Sequence, residues 1–299
     1  MTTRYPADPI NMAVTRLRVL NKDSDLGHAT GFFFNGAVNG TQVHYLVTNW
    51  HVISGRSTVA PHRALHKNGI PDRIAASLLL RTPPKGHENS LVFQEVLIPL
   101  YRGREPLWRQ HSLGPKVDIA VIDLGAATAP YQVCGITDHA NDHDMAIQIA
   151  SDICVLGYPH GFAQFLQTPI WKSGTIASEP HQEEKDEPPR FVIDATTRKG
   201  MSGSPVILRA KTHYLSESGQ VVEKPGAMRF IGVYAGRPTR TADAEATEIG
   251  FVYKSGALEQ LIRDGIPGLR YGELPNGAKP AGRKRFRLSS LGSRSARRK

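Results

Sequence analysis

Cysteine is scarce in this chain, since only Cys134 and Cys154 occur among its 299 residues. Two cysteines exclude the disulfide-dense scaffolds of small secreted proteins. No C-x-x-C pair is present, so thiolate zinc sites of the common spacing are excluded as well. We expect both thiols to be reduced and mostly buried, with a single disulfide between them as the open alternative.

Long apolar runs are also missing. The longest runs, such as Ile74–Leu80, fall far short of the roughly 18 residues that a membrane-spanning helix needs. Met1–Arg18 contains no apolar core of the kind found in signal peptides. From these two absences we expect a soluble, cytoplasmic protein.

Motifs for nucleotide binding and for zincin-type metal sites are absent. No G-x-x-x-x-G-K-[ST], G-x-G-x-x-G or H-E-x-x-H pattern occurs. The stretch Asp138–Asp144 contains clustered His and Asp side chains and invites a metal-site interpretation. A polar connection between two halves of the chain explains it equally well, and we expect neither a metal nor a cofactor.

Charge is unevenly distributed along the sequence. The net charge is +10, but residues 279–299 alone hold nine Lys or Arg and no acidic residue, which leaves 28 basic and 27 acidic residues elsewhere. We therefore predict a nearly neutral globule followed by a disordered basic tail over 273–299. The tail segment Arg283–Lys299 is a candidate for contact with a polyanion, and a solubilising tail without a target is the alternative.

What the sequence does contain is a series of short apolar or alternating runs separated by Gly- and Pro-rich connections. This pattern favours an all-β fold over a doubly wound α/β fold. Asn35-Gly36 predicts a hairpin turn, and Ser255–Asp264 predicts one helix near the end of the chain. The predicted strands are Val14–Leu20, Gly31–Phe34, Val43–Trp50, Ile74–Leu80, Leu91–Leu100, Val117–Leu124, Ile153–Gly157, Ile170–Ala177, Arg190–Ala195, Ser204–Leu208, Met228–Ala235 and Ile249–Tyr253.

Three polar residues in this apolar pattern are candidates for chemistry. Ser202 lies between glycines in Gly200–Pro205, a turn that can direct backbone N–H groups to one point. His51 follows the apolar run Leu46–Trp50, and Asp118 lies within Val117–Leu124, where a buried carboxylate needs a partner. Asp123 competes with Asp118 but stands at the far end of that run, next to a glycine. Taken singly, each residue has an ordinary structural explanation.

Together the three residues supply a nucleophile, a general base and an acid that orients the base. Their chain order is His51, Asp118, Ser202. This order excludes α/β-hydrolases, which run Ser, acid, His, and subtilisins, which run Asp, His, Ser. It is the order of chymotrypsin-like proteases.

The sequence resembles the trypsin-like serine peptidases, in particular the bacterial branch of Deg-type proteases and glutamyl endopeptidases. The similar segments are Ala29–Phe32, Leu46–Val52, Asp118–Leu124, Asp194–Pro205 and Ile231–Gly236. The resemblance implies an all-β fold of two six-stranded antiparallel barrels, over about 10–125 and 145–255, followed by a C-terminal helix. It places the peptidase domain at 1–272.

The resemblance also implies roles for individual residues. Ser202 would attack the scissile carbonyl, His51 would act as base and then acid, and Asp118 would orient His51. Backbone N–H groups of Gly200 and Ser202 would form the oxyanion hole, and an acyl-enzyme would be the intermediate. The partner is then a protein or peptide substrate.

The predicted substrate pocket departs from trypsin. It would be lined by Thr196, Tyr234, Ala235 and Gly236. Thr196 stands where trypsin has its pocket aspartate, so nothing favours a basic side chain. Met201 replaces the aspartate that receives the new N-terminus in trypsin activation. A peptide-binding or partner-activated sensor module on a protease fold is the alternative to an active endopeptidase.

Overall fold

The computed structural model describes residues 8–38, 41–87, 90–163, 167–183, 187–237 and 248–275, and most of its regular structure is strand. The α-helices are α1 (Trp50–Ser54) and α2 (Ser255–Asp264), and short 3₁₀ turns occur at Pro9–Ala13, Gly114–Lys116, Gly125–Thr128, Ile136–Asp138 and Pro159–Gly161. The strands are β1 (Val14–Asn21), β2 (Ser24–Val38), β3 (Thr41–Thr48), β4 (Arg73–Leu79), β5 (Phe93–Pro99), β6 (Tyr101–Arg102), β7 (Glu105–Pro106), β8 (Arg109–Gln110), β9 (Ala120–Asp123), β10 (Asp152–Gly157), β11 (Ile170–Ile176), β12 (Arg190–Ala195), β13 (Pro205–Arg209), β14 (His213–Leu215), β15 (Val221–Glu223), β16 (Met228–Gly236), β17 (Ile249–Lys254) and β18 (Ile266–Pro267).

The second half of the chain forms a closed antiparallel barrel of six strands, in the order β10-β11-β12-β17-β16-β13. Its strands alternate between two apolar environments, as the two-residue period of a strand requires. On β16, for example, Ile231 packs inside the barrel, whereas its neighbour Phe230 packs against the first half of the chain. The prediction of a six-stranded barrel in this half is confirmed.

The first half forms an eight-stranded sheet in the order β18-β8-β9-β3-β2-β1-β4-β5. The sequence led us to expect six strands and a second barrel. This sheet has two outer strands, β18 and β5, so a second closed barrel is not confirmed. The outer strand β18 comes from after the C-terminal helix and pairs with β8 through two residues on each side, a pairing too short to leave a sequence pattern.

A shared apolar cluster joins the two halves of the chain. Phe32 on β2 and Phe230 on β16 meet there with ring centroids 5.4 Å apart. Full burial of a phenylalanine contributes roughly 1.5–3 kcal/mol. Helix α2 adds Leu258 and Leu261 to this cluster, and Arg109 donates to the carbonyls of Ile262 and Gly265 at the end of the helix. The C-terminal helix expected from the sequence is therefore a packed element.

Three local expectations differ from the structure. Asn35-Gly36 does not form a turn but continues β2, where the two residues pair with His44 and Val43 of β3. Gly36 packs against the ring of Tyr45, since a Cβ at this position would lie 2.8 Å from Cε2 of the ring. The strand before His51 ends at Thr48, and His51 lies on the single turn of α1. Asp118 precedes β9 by two residues instead of lying within a strand.

The predicted basic tail lies almost entirely outside the described residues, which end at 275. Both cysteines are free in the structure. Among the helices of the described ranges, none has the length and apolar character needed to cross a bilayer.

Candidate active site

His51 is positioned by the short helix α1 at the junction of the two halves. The preceding Trp50 is fully buried and donates its Nε1–H to the Gln110 side chain at 2.7 Å, which fixes the helix against β8. The helix ends at Gly55, whose φ of 63° is left-handed and favours glycine. The His51 side chain keeps 23% of its surface exposed.

Asp118 contacts His51 through both carboxylate oxygens. Its Oδ2 accepts a hydrogen bond from Nδ1 of the ring at 2.7 Å, and its Oδ1 accepts one from the backbone N–H of the same residue at 2.9 Å. Because an ionised carboxylate can only accept, Nδ1 carries the proton and Nε2 is left as the basic nitrogen. The Asn49 side chain donates to the Asp118 carbonyl at 2.7 Å and holds the loop in place.

The environment of His51 makes it a stronger base than an ordinary histidine. Burial lowers the pKa of His51, but the charge of Asp118 and the hydrogen bond to it together raise the pKa by more than burial lowers it. The net shift is therefore upward from 6.5. Asp123, the competing carboxylate, is exposed and accepts the N–H of Gly125 at 2.9 Å. Of the two acids, the structure brings only Asp118 to His51.

Ser202 lies in a turn that two left-handed glycines shape. Gly200 has φ = 96° and Gly203 has φ = 87°. A Cβ on Gly200 would lie 2.6 Å from the carbonyl oxygen of Tyr158, and a Cβ on Gly203 would lie 2.2 Å from that of Thr30. Both positions therefore require glycine for conformation and for space.

Backbone N–H groups in this turn fall into two sets. Those of Met201 and Gly203 donate to the carbonyls of Arg198 and Tyr234, at 3.1 and 3.0 Å. Those of Gly200 and Ser202 donate to no acceptor within the part of the chain that the structure describes. Two free N–H groups beside a serine hydroxyl are what an oxyanion hole requires.

The nucleophile turn is attached to the first half of the chain close to His51. Thr30 N–H donates to the Ser202 carbonyl at 2.9 Å, and a Cβ on Gly203 would lie 2.4 Å from Oγ1 of Thr48, three residues before His51. Within the described ranges, the Ser202 hydroxyl makes no hydrogen bond to His51. Such bonds are often long before substrate binds.

The predicted pocket residues are only partly brought together. The Thr196 side chain is exposed, whereas its neighbour Thr197 is fully buried and forms a 2.6 Å hydrogen bond with the hydroxyl of Tyr234. Ala235 and Gly236 continue β16 beyond Tyr234 and are half-buried.

Sequence reasoning missed the polar residues that support the site. Thr30 and Thr48 are fully buried, and the Thr48 hydroxyl donates to the Thr30 carbonyl at 2.8 Å. Asn49, also fully buried, holds the Asp118 loop. The signal was present, because a polar residue in an apolar strand needs a partner, the same argument that selected Asp118.

No metal site accompanies this arrangement in the described ranges, where no group of three or more His, Cys, Asp or Glu could hold an ion. The stretch Asp138–Asp144 instead uses its acids in ordinary contacts. Asp142 pairs with Lys224, and Asp144 accepts from the hydroxyl of Tyr214 at 2.8 Å.

Comparison with known proteins identifies the family of the chain. The profile of the trypsin-like peptidase domain family matches residues 29–212, which include all three candidate catalytic residues. No curated protein is significantly similar to the chain.

Several solved structures are similar at low sequence identity. The active form of the Rv3671c protease from M. tuberculosis is 17% identical, with 90% of this chain and 87% of that chain covered and a TM-score of 0.42. The serine endoprotease from Yersinia pestis is 15% identical, with 86% and 68% covered and a TM-score of 0.43. The HtrA-type protease AlgW with a tripeptide is 18% identical, with 86% and 64% covered and a TM-score of 0.44.

The matched domain identifies a trypsin-like serine peptidase, in keeping with the mostly β fold and its closed six-stranded barrel. The chain belongs to the family of the trypsin-like peptidase domain, as the domain match over more than half of its length establishes. The resemblance to trypsin-like serine peptidases drawn from the sequence is confirmed.

Proposed function

We propose that this protein hydrolyses internal peptide bonds through a triad of Ser202, His51 and Asp118. The observation that carries the proposal is the double contact of the Asp118 carboxylate with His51, at 2.7 Å to Nδ1 and 2.9 Å to the backbone N–H. This contact fixes the tautomer in which Nε2 can accept a proton.

The reaction follows from these roles. Ser202 Oγ attacks the scissile carbonyl carbon while His51 Nε2 takes the hydroxyl proton, and Asp118 stabilises the imidazolium. The negative oxygen of the tetrahedral intermediate lies against the free N–H groups of Gly200 and Ser202. His51 then protonates the leaving amine, and water hydrolyses the acyl-enzyme by the same steps. We assign this activity to residues 1–272; contact of the tail Arg283–Lys299 with a polyanion stays a prediction.

Hydrolysis of fluorescein-labelled casein tests the proposal. Ser202→Ala is expected to abolish hydrolysis in a protein whose circular dichroism is unchanged. Ser204→Ala is the matched control, because the buried Ser204 hydroxyl has no hydrogen-bond partner among the described residues, and it should retain activity. A folded Ser202→Ala variant with near-normal turnover would refute the proposal. Binding of casein without hydrolysis would instead favour a peptide-binding or partner-activated module.

A further inference from the structure

The side chain of Tyr234 occupies a space beside the nucleophile turn. Its backbone carbonyl accepts the N–H of Gly203 at 3.0 Å, which places residue 234 next to Ser202 in space. Its side chain is buried, with the residue 2% exposed, and packs in the apolar interior of the barrel with Met201 and Val252. An aromatic ring is therefore buried in the same apolar cluster as Met201, the residue before the predicted nucleophile.

The ring is held from two sides. Its hydroxyl forms a 2.6 Å hydrogen bond with Oγ1 of Thr197, on the segment that leads to the nucleophile turn. On the neighbouring strand β17, a Cβ on Gly250 would lie 2.5 Å from Cε2 of the ring. The ring thus packs against Gly250, where a side chain would clash with it. It reaches from β17 to the segment that contains Thr197.

Ion pairs fix the position of Thr197. The guanidinium groups of Arg198 and Arg237 both donate to the Thr197 carbonyl, and they lie 3.4 and 3.6 Å from the carboxylate of Glu248. The Glu248 carbonyl in turn accepts the N–H of Ala195 at 2.9 Å. Because the hydroxyl partner of Tyr234 is fixed in this way, the ring cannot swing aside without breaking a buried hydrogen bond.

We propose that Tyr234 limits the depth of the substrate pocket, so that the protein cleaves after residues with small side chains such as glycine, alanine and serine. This inference rests on the proposed function and adds the substrate class. A large side chain before the scissile bond must displace a packed ring that has a satisfied hydroxyl.

Two fluorogenic peptides that differ only in alanine or phenylalanine before the scissile bond test this inference. Discrimination by a single methylene is about 10–200-fold, so we expect kcat/KM to favour the alanine peptide by at least about 100-fold. Tyr234→Ala is expected to lower this ratio at least about tenfold, mainly through faster cleavage of the phenylalanine peptide. Tyr234→Phe keeps the ring but removes its hydrogen bond to Thr197, so its ratio should lie between those of the wild type and Tyr234→Ala.

The matched control is Tyr131→Ala. Tyr131 is a buried tyrosine in the first half of the chain, and its hydroxyl donates to Gln94 at 3.3 Å. We expect this variant to lose stability with no change in the ratio, since a purely structural tyrosine does not move selectivity.

The outcomes separate this inference from the function on which it rests. If Ser202 reacts with a small fluorophosphonate but the wild-type protein prefers the phenylalanine peptide, the pocket assignment is overturned and the proposed function stands. An unchanged ratio in folded Tyr234→Ala also overturns it. If neither peptide is cleaved and Ser202 does not react, both fail. Where Tyr234→Ala does not fold, a wild-type protein that does not prefer the alanine peptide still overturns the inference.

Discussion

The Thr30 hydroxyl donates a 2.9 Å hydrogen bond to the Gly200 carbonyl, 170 positions further along the chain. The same hydroxyl oxygen accepts the N–H of Tyr158 at 3.0 Å. One threonine in the first sheet therefore fixes two segments of the second half, among them the turn that carries the predicted nucleophile. The geometry of that turn depends on how the two halves are joined.

Removal of this hydroxyl is expected to affect both activity and stability. Thr30→Val keeps the shape of the side chain but leaves a buried carbonyl and a buried N–H without partners, which costs about 1–3 kcal/mol in the free energy of unfolding. A turn displaced by about 1 Å lowers kcat by about 10²-fold. Urea unfolding and peptide hydrolysis measure the two effects.

Thr15→Val is the matched control for this prediction. Thr15 is a buried threonine on β1 whose hydroxyl also both donates and accepts, with the Ser77 carbonyl at 2.8 Å and the Ser77 N–H at 3.1 Å. It should lose similar stability with activity intact. Equal activity losses in the two variants would contradict a specific role for Thr30.

Gly200→Ala is expected to damage the oxyanion hole. A Cβ at this residue meets a backbone carbonyl at 2.6 Å and a φ of 96° that L residues rarely adopt, so the peptide must rotate. Loss of one oxyanion donor lowers kcat by about 10²–10³-fold. Gly219→Ala is the control and should keep kcat, because Gly219 also has a left-handed φ, 81°, but a Cβ there would meet no atom within 4 Å. A normal kcat in Gly200→Ala would argue against this oxyanion hole.

The pH dependence of kcat/KM should report the titration of His51. A base works only when neutral, and Asp118 raises the pKa of His51 above 6.5 in spite of burial. Activity is therefore expected to fall on acidification with a midpoint above 6.5. Burial, followed by the charges of Lys199 and His51, lowers the pKa of the nearby His66, so that residue titrates below 6.5. His66→Asn should leave the midpoint unchanged. A shifted midpoint in that variant would show that the titration does not belong to His51 alone.

The choice between two carboxylates gives a further test. Asp118→Asn removes the negative charge and allows the wrong tautomer of His51, so kcat should fall by about 10⁴-fold, the loss typical of this change in chymotrypsin-type triads. It should also move the acidic midpoint of kcat/KM downward. Asp123→Asn, on the exposed end of β9, should have little effect in either assay. If Asp123→Asn were the more damaging change, the assignment of the acid would be wrong.

The sequence predicted more of the fold than of the pocket, for physical reasons. Apolar runs with a period of two follow directly from burial, so the barrel strands were found. The pairing of β18 with β8 rests on two residues from each strand and leaves no pattern. Thr196 and Thr197 cannot be told apart by composition, because the irregular backbone before the nucleophile turn decides which of them is buried beside Tyr234.

Candidate site residues were found where a polar group interrupts an apolar segment. Asp118 stood out because burial of a carboxylate demands a partner. Thr30 obeys the same rule, but threonine is common in strands, and its partners lie more than 120 residues away in the sequence. Partners of this kind become visible only once the two halves are packed together.

The most direct test of the proposed triad is the reaction of the intact protein with a fluorophosphonate, followed by tandem mass spectrometry of the modified peptide. The triad predicts a single adduct on Ser202, formed rapidly by the wild-type protein and at least about 10³-fold more slowly by His51→Ala, which lacks the base. An adduct on another residue, or an equal rate at Ser202 in both proteins, would contradict it.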